Sequence, residues 1–339
     1  MRLGRIIYKD IISSAELFDQ KVCEDQDLVW SYYQPDIKLG WEIKPYGHHV
    51  SQNYHANSLG LRLTSNNNKK YFINSKKILV VGDSMVHGDE VKDSDSWLWK
   101  LQEICGSNFQ ILNGGVSGYG TDQAILRFEK LYKKVKPDIG ILGITTTDLF
   151  RNFNVCRNFI ATGGDFPYPK PRFIMKGNNL KLIEPPNIDV NNISKSLNTK
   201  IVRNHFFKYD RFFPHLWTQL YQVGLRIGLL SKPFHYNFFD EAISLVILII
   251  QRFIKFCQSR SIKPIIILLP TYWGSFPSGD EMDKIYNKFK FLKVIDGRDA
   301  FSKDRLNLSS KILRCPRSHY TSESGKWIAR LTANILKKI

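Results

Sequence analysis

From Lys77 onward, short apolar runs alternate with amphipathic helical patterns, and that alternation calls for a parallel sheet covered by helices on both faces. Strands are expected at 77–82, 108–113, 138–143, 264–269 and 291–295, and helices near 95–105, 121–135, 241–258, 280–290 and 322–338. Runs such as Ile78-Leu79-Val80-Val81 carry no polar side chain, which suits a strand buried on both faces. In open sheets of this type, reactive groups gather beyond the carboxyl ends of the strands. The first run stops there, at Gly82-Asp83-Ser84.

The alternation breaks between Arg151 and Asp240. That stretch holds Phe166-Pro167-Tyr168-Pro169-Lys170-Pro171, a polar segment rich in Asn, and an aromatic, basic run from His205 to Tyr236. It is too long for a simple crossover and is expected to form an inserted, cap-like segment at about 151–240 that overhangs the strand ends. Its aromatic residues Phe206, Phe207, Phe212, Phe213, Trp217 and Tyr221 fall at near-helical spacing, which favours packing within the cap over lining a pocket. Residues 1–75 read as an aromatic-rich N-terminal extension packing on the core, and residues 76–339 as the main domain.

With 339 residues, 43% of them hydrophobic, the chain can bury a large core, and wholesale disorder is excluded. Cys23, Cys105, Cys156, Cys257 and Cys315 are scattered, with no CxxC pair, so neither a disulfide framework nor a zinc site is expected. Reduced thiols in the cytoplasm are the simpler expectation. The first twenty residues are interrupted by Asp10, Glu16 and Asp19 and do not read as a signal peptide. The most apolar stretch, Ala242 to Ile250, is about half the ~20 residues needed to cross a bilayer, so no transmembrane segment is expected. A net charge of +18 could serve nucleic acid, anionic lipid or an acidic polysaccharide. The basic residues are dispersed along the sequence, and no helix-turn-helix, zinc-finger or RNP pattern accompanies them. Nucleic acid is therefore not the expected partner.

Three blocks carry residues suited to chemistry. Ser84 ends the first strand, where its backbone N–H would be free at the start of the next segment. After the second strand comes Asn113-Gly114-Gly115-Val116-Ser117-Gly118-Tyr119-Gly120, whose glycines could aim N–H groups at a developing oxyanion. The third block, Ser318-His319-Tyr320-Thr321-Ser322-Glu323-Ser324-Gly325, places a histidine just before a helix capped by Thr321 or Ser322. As a general base, His319 could take the Ser84 proton and return it to a leaving group. Each block also has an ordinary reading: a common turn, a tight strand-to-helix connection, a surface histidine. Their conjunction, in order and at strand ends, is what points to chemistry. His87, close behind Ser84, is a rival base. No His, Asp or Glu spacing suggests a metal, and His48-His49 reads as a solvated pair.

Together these blocks resemble the SGNH (GDSL) hydrolase superfamily, whose fold is a flavodoxin-like α/β three-layer sandwich around a central parallel five-stranded sheet. Ser84 matches the family's nucleophile, Gly115 its glycine oxyanion donor and His319 its base. A bacterial branch with an N-terminal extension is matched by Asn57-Ser58-Leu59-Gly60-Leu61-Arg62, Gly118-Tyr119-Gly120-Thr121-Asp122-Gln123 and Ser322-Glu323-Ser324-Gly325. The resemblance runs from about residue 30 to the C-terminus and thins through 175–240. It implies an ester hydrolase or acyl transferase acting on O-acyl groups, with acylated saccharides as a substrate class and no cofactor. The oxyanion would be held by the Ser84 and Gly115 N–H groups and by Thr147.

Two departures fall at the implied site. In Gly143-Ile144-Thr145-Thr146-Thr147-Asp148, Thr147 stands where the family has an asparagine donor. Losing one oxyanion donor typically costs roughly 10²–10³ in turnover. In Pro316-Arg317-Ser318-His319 no carboxylate precedes the histidine. In serine proteases, neutralising that orienting group costs about 10⁴. A Ser–His dyad oriented by a backbone carbonyl would fill the gap, as would a displaced acid at Asp296 or Asp299. Asp83, Asp148 and Arg317 read as polar-network residues. The same departures motivate the alternative, a non-catalytic protein of this fold that binds a saccharide or a partner protein.

Overall fold

The computed structural model describes residues 12–13, 15–16, 19, 31–66, 72–160, 166–211, 233–271, 279–301, 314–317 and 319–338. Phe212, Phe213, Trp217 and Tyr221 lie outside the described residues. In chain order the elements are β1 (Tyr33–Asp36), β2 (Gly40–Ile43), β3 (Lys76–Val81), α1 (Ser84–His87), α2 (Trp97–Cys105), β4 (Phe109–Asn113), α3 (Thr121–Val135), β5 (Ile139–Ile144) and α4 (Asp148–Arg151). They continue with β6 (Arg172–Lys176), β7 (Asn179–Ile183), α5 (Ile193–Leu197), α6 (Lys200–Tyr209), α7 (Pro233–Gln258), β8 (Lys263–Leu268), α8 (Gly279–Phe289), β9 (Val294–Asp296) and α9 (Ser322–Leu336).

The main sheet runs β9-β8-β5-β3-β4, with all five strands parallel. Counted along the chain this is the flavodoxin-like order 2-1-3-4-5, which places its switch point between β3 and β5. The five strands and the helices between them stand within a few residues of the expected positions. α7 starts earlier, at Pro233, where a fixed φ and a missing N–H suit the first helical position.

Alternation along each strand divides the core. Leu79 and Val81, Leu142 and Ile144, and Ile266 and Leu268 face α3, α7 and α8. Ile78 and Val80, Ile139 and Ile141, and Ile265 and Ile267 face α2 and α9. The strand centres are apolar because both faces are covered.

Two antiparallel hairpins, β1–β2 and β6–β7, fall where no strand was expected. The first belongs with a third apolar cluster, in which Tyr32, Trp41 and Tyr54 meet Val116, Tyr119, Phe166 and Phe206. The second packs through Phe173, Met175, Leu180 and Leu182 on the core shared by α3 and α7. Trp41 stacks on Phe166 at 4.7 Å and donates its indole N–H to the Ser117 carbonyl at 2.9 Å. The chain ahead of β3 is thereby fixed to the loop after β4. A fully buried ion pair, Lys170 Nζ to Asp122 Oδ2 at 2.7 Å, ties the stretch before β6 to the start of α3.

Candidate active site

Ser84 is the first residue of α1, at the carboxyl end of β3, and is 6% exposed. Asp83 caps that helix: one carboxylate oxygen accepts from Met85 N at 2.9 Å. The other accepts from Thr145 Oγ1 at 3.1 Å and from Arg151 Nη1 at 2.7 Å. A Cβ at position 82 would lie 2.4 Å from Val86 Cγ2, so only glycine there lets α1 seat against the strand end. At its position in the first turn, the Ser84 N–H has no intrahelical acceptor.

His319 is oriented by a carboxylate from an unexpected place. Its Nδ1 lies 2.6 Å from Glu90 Oε2, and the same carboxylate accepts the backbone N–H groups of Arg317 at 2.8 Å and His319 at 3.4 Å. With Nδ1 engaged, Nε2 is the nitrogen left to serve a hydroxyl. Burial pushes the imidazole pKa down, but the Glu90 hydrogen bond and the charges of Asp89, Glu90 and Asp83 outweigh it and hold His319 above its ordinary value. Burial likewise opposes ionisation of Glu90, yet the His319 and Arg317 hydrogen bonds keep it below its own.

This arrangement corrects the expectation of a dyad or a displaced acid near β9. Asp296 pairs instead with Arg298 at 2.6 Å and accepts from that residue's N–H, and Asp299 is exposed in the same turn.

Glu90 has φ +67°, a left-handed conformation that non-glycine residues adopt at a cost of about 1 kcal/mol or more. Its N–H donates to the Tyr54 hydroxyl at 2.5 Å. Arg62, only 1% exposed, donates to the carbonyls of His87 at 3.1 Å, Gly88 at 2.5 Å and Val91 at 2.6 Å, and to Asp93 at 2.9 Å. Asn113 Nδ2 adds a second bond to the His87 carbonyl at 3.1 Å. The arginine that ends Asn57-Ser58-Leu59-Gly60-Leu61-Arg62 thus gathers the carbonyls of the loop that presents the acid. The Arg62 guanidinium in turn lies 4.2 Å over the Tyr54 ring.

His87, the rival base, is fully buried with both ring nitrogens engaged: Nδ1 with Asp89 Oδ1 at 2.5 Å and Nε2 with the Tyr32 hydroxyl at 2.9 Å. Burial lowers its pKa and raises that of Tyr32, so the phenol keeps its proton and donates a hydrogen bond to Nε2 of the imidazole. Asp89 stays ionised against the cost of burial, held below its ordinary value by His87, by His319 and by the Ser117 hydroxyl at 2.6 Å. His87 has no free nitrogen with which to serve Ser84.

The expected oxyanion donors differ in availability. The Gly115 N–H donates to Asn113 Oδ1 at 3.0 Å. A Cβ at Gly115 would stand 2.4 Å from His87 N, so the glycine is there for close backbone approach to α1. Gly114, Val116 and Tyr119 N–H groups also have acceptors. Among the described residues, those of Ser117 and Gly118 have none. Thr147 Oγ1 lies 2.8 Å from Thr145 Oγ1. Since the Thr145 proton goes to Asp83, the Thr147 proton goes to Thr145. Asp148 accepts the Thr145 N–H at 2.8 Å, and burial together with the Asp83 charge pushes its carboxyl well above its ordinary value.

His48 stacks on His55 at 4.2 Å, and among the described residues no group of His, Cys, Asp and Glu could hold a metal ion. Among those residues, too, no helix is long and apolar enough to cross a membrane.

No family model and no curated protein matches the sequence. Among solved structures, the chain is similar to a member of the lipolytic protein G-D-S-L family from Veillonella parvula DSM 2008, at 13% identity over 78% of this chain and 100% of that one, TM-score 0.42. It is similar to a catalytic mutant of an acetylxylan esterase from Geobacillus stearothermophilus, at 12% identity over 78% and 96%, TM-score 0.42. It is also similar to a psychrotrophic esterase from Pseudoalteromonas sp., at 11% identity over 78% and 98%, TM-score 0.40. Likeness at this level assigns no role to any side chain.

Proposed function

We propose that this chain is a serine ester hydrolase of the SGNH type, or an acyl transferase using the same chemistry, acting on O-acyl esters of saccharides. The observation that carries the reading is the Glu90 carboxylate 2.6 Å from His319 Nδ1, on a strained residue in the loop that directly follows the Ser84 turn. Ser84 Oγ attacks the acyl carbon as His319 Nε2 takes its proton. The Ser84 N–H and the unpaired N–H groups at Ser117–Gly118 hold the oxyanion, while Gly115 and Thr147 contribute only if they release their present acceptors. The imidazolium, stabilised by Glu90, protonates the departing alkoxide. Water or a second hydroxyl then repeats the cycle on the acyl-serine. The saccharide part of this reading rests on the sequence resemblance alone.

On the same reading, residues 1–75 are an extension that steadies the acid loop, residues 151–240 are a cap, and the protein works in the reducing cytoplasm. Cys105, Cys156, Cys257 and Cys315, all free thiols, support that location.

The test is labelling with a fluorophosphonate probe alongside hydrolysis of a short-chain aryl ester and of acetylated oligosaccharides. Labelling is expected, lost in Ser84→Ala and slowed in Glu90→Gln. A folded protein that neither labels nor cleaves the aryl ester leaves the non-catalytic alternative in its place.

A further inference from the structure

Lysines dispersed along the sequence are collected by the topology onto one edge of the molecule. Every strand of the parallel sheet begins at the edge opposite Ser84, and α2, α3, α7, α8 and α9 all end there. β3 opens on Lys76, and α3 closes on Lys133 and Lys134, with Lys136 just beyond. Past the end of α7 come Arg260 and Lys263. Lys290 follows α8, and Lys337 and Lys338 follow α9. All of these are exposed.

These ends adjoin one another. Lys77 Nζ reaches the Val135 carbonyl at 3.4 Å, the Lys263 N–H donates to Asp138 O at 2.9 Å, and the Arg260 guanidinium lies 5.5 Å over Tyr132. The Lys337 charge is felt at the Cys105 thiol where α2 ends. Among the described residues, the acidic side chains at this edge are Glu103 and Asp138. Among the described residues, too, none of these bases has a carboxylate within ion-pair distance; Glu103 pairs instead with Lys100 on α2, at 3.9 Å. Between the lysines stand Ile73, Ile104 and Phe291, 79%, 39% and 77% exposed.

We infer that this edge docks on an anionic lipid bilayer, its lysines meeting headgroups while Ile73, Ile104 and Phe291 enter the interfacial layer. Large apolar side chains set among lysines fit a lipid surface. Nucleic-acid interfaces are polar and wet, and would leave Ile73 and Phe291 without a use. β3 is six residues long, so docking holds Ser84 about 20 Å or more from the bilayer, facing the aqueous phase. The substrate then comes from solution, not from the lipid beneath. The proposal stands whether or not Ser84 is a nucleophile.

Co-sedimentation of the full chain with vesicles tests it. At about 0.1 M salt, where charge acts over roughly 10 Å, binding is expected to phosphatidylserine-containing vesicles and not to pure phosphatidylcholine. The triple variant Lys134→Glu, Lys263→Glu, Lys290→Glu should lower partitioning by about 10²-fold. Phe291→Ser should lower it by roughly tenfold. A control with the same charge change, Lys195→Glu, Lys200→Glu, Lys208→Glu, alters α5 and α6, which pack by the loops at the other end of the sheet, and should bind nearly as the native protein does. Equal loss in both triples would reduce the effect to net charge and overturn the patch. Binding to both vesicle types alike, or to neither, overturns the bilayer, and displacement from vesicles by duplex DNA at matched charge makes the edge a nucleic-acid surface instead.

Discussion

Glu90 Oε2 lies 2.6 Å from His319 Nδ1, although 229 positions separate the two residues. The carboxylate therefore sits on the loop that follows Ser84 and not on the loop that carries the histidine. Ser84 and Glu90 are fixed to one another by a short run of chain that Arg62 and Tyr54 clamp, and His319 is the one member brought from elsewhere. The carboxylate also accepts the Arg317 N–H, so the group that orients the ring holds the turn carrying it.

Glu90→Gln is expected to lower kcat/KM on an aryl ester by between about 10² and 10⁴, since an amide neither stabilises the imidazolium nor enforces the tautomer. On the proposed mechanism the base is neutral His319, held above its ordinary value, so the acid limb should move to lower pH in the variant. Stability follows the same pair. The His319 contribution is complete below about 6.5 and is lost as pH rises through its folded value. The Glu90 contribution is complete above about 4.5 and is lost as pH falls through its folded value. Urea unfolding should therefore show the largest loss in Glu90→Gln between those two values. A loss that does not vary with pH would mean the pair is uncharged.

Glu90→Gly gives up the same carboxylate but relieves the left-handed backbone. It should be more stable than Glu90→Gln by about 1 kcal/mol and equally impaired in turnover. Equal stability of the two would mean that φ +67° carries no strain.

What the sequence revealed and what it hid divide along physical lines. Unbroken aliphatic runs such as Ile265-Ile266-Ile267-Leu268 announce strands covered on both faces, so the sheet was legible. Ser84 and His319 could be singled out as candidates because each adjoins the end of an element. Nothing in Gly88-Asp89-Glu90-Val91 marks Glu90, because its role arises only when a distant arginine gathers the carbonyls around it. The hairpin of Tyr33–Asp36 with Gly40–Ile43 is too short, and carries Pro35, for alternation to register. Gly115 was read for its N–H when its missing Cβ is what the packing needs.

Thr147→Ala should cost less than about tenfold in kcat, against the roughly 10²–10³ expected for an engaged oxyanion donor. Its proton is committed to Thr145, which passes its own to Asp83. A loss of the larger size, with KM unchanged, would show that the hydroxyl turns to the substrate during reaction.

Asp83 and Asp148 share the Thr145 hydroxyl, at 3.1 and 3.4 Å. Asp83 has Arg151 at 2.7 Å, while burial and the Asp83 charge drive the Asp148 carboxyl upward. The folded Asp148 value exceeds its unfolded one, so its contribution is complete below about 3.8 and is lost as pH rises through the folded value. Asp148→Asn keeps an acceptor for the Thr145 N–H and has no proton to lose. It should match the native protein only below about pH 4, exceed it already near neutrality, and exceed it by no less in alkaline solution. Asp83→Asn leaves Arg151 without its carboxylate and should cost about 3 kcal/mol at either pH. Urea midpoints of the two variants, taken at neutral and alkaline pH, separate the roles: equal losses at neutrality would mean that Asp148 is charged in the folded protein.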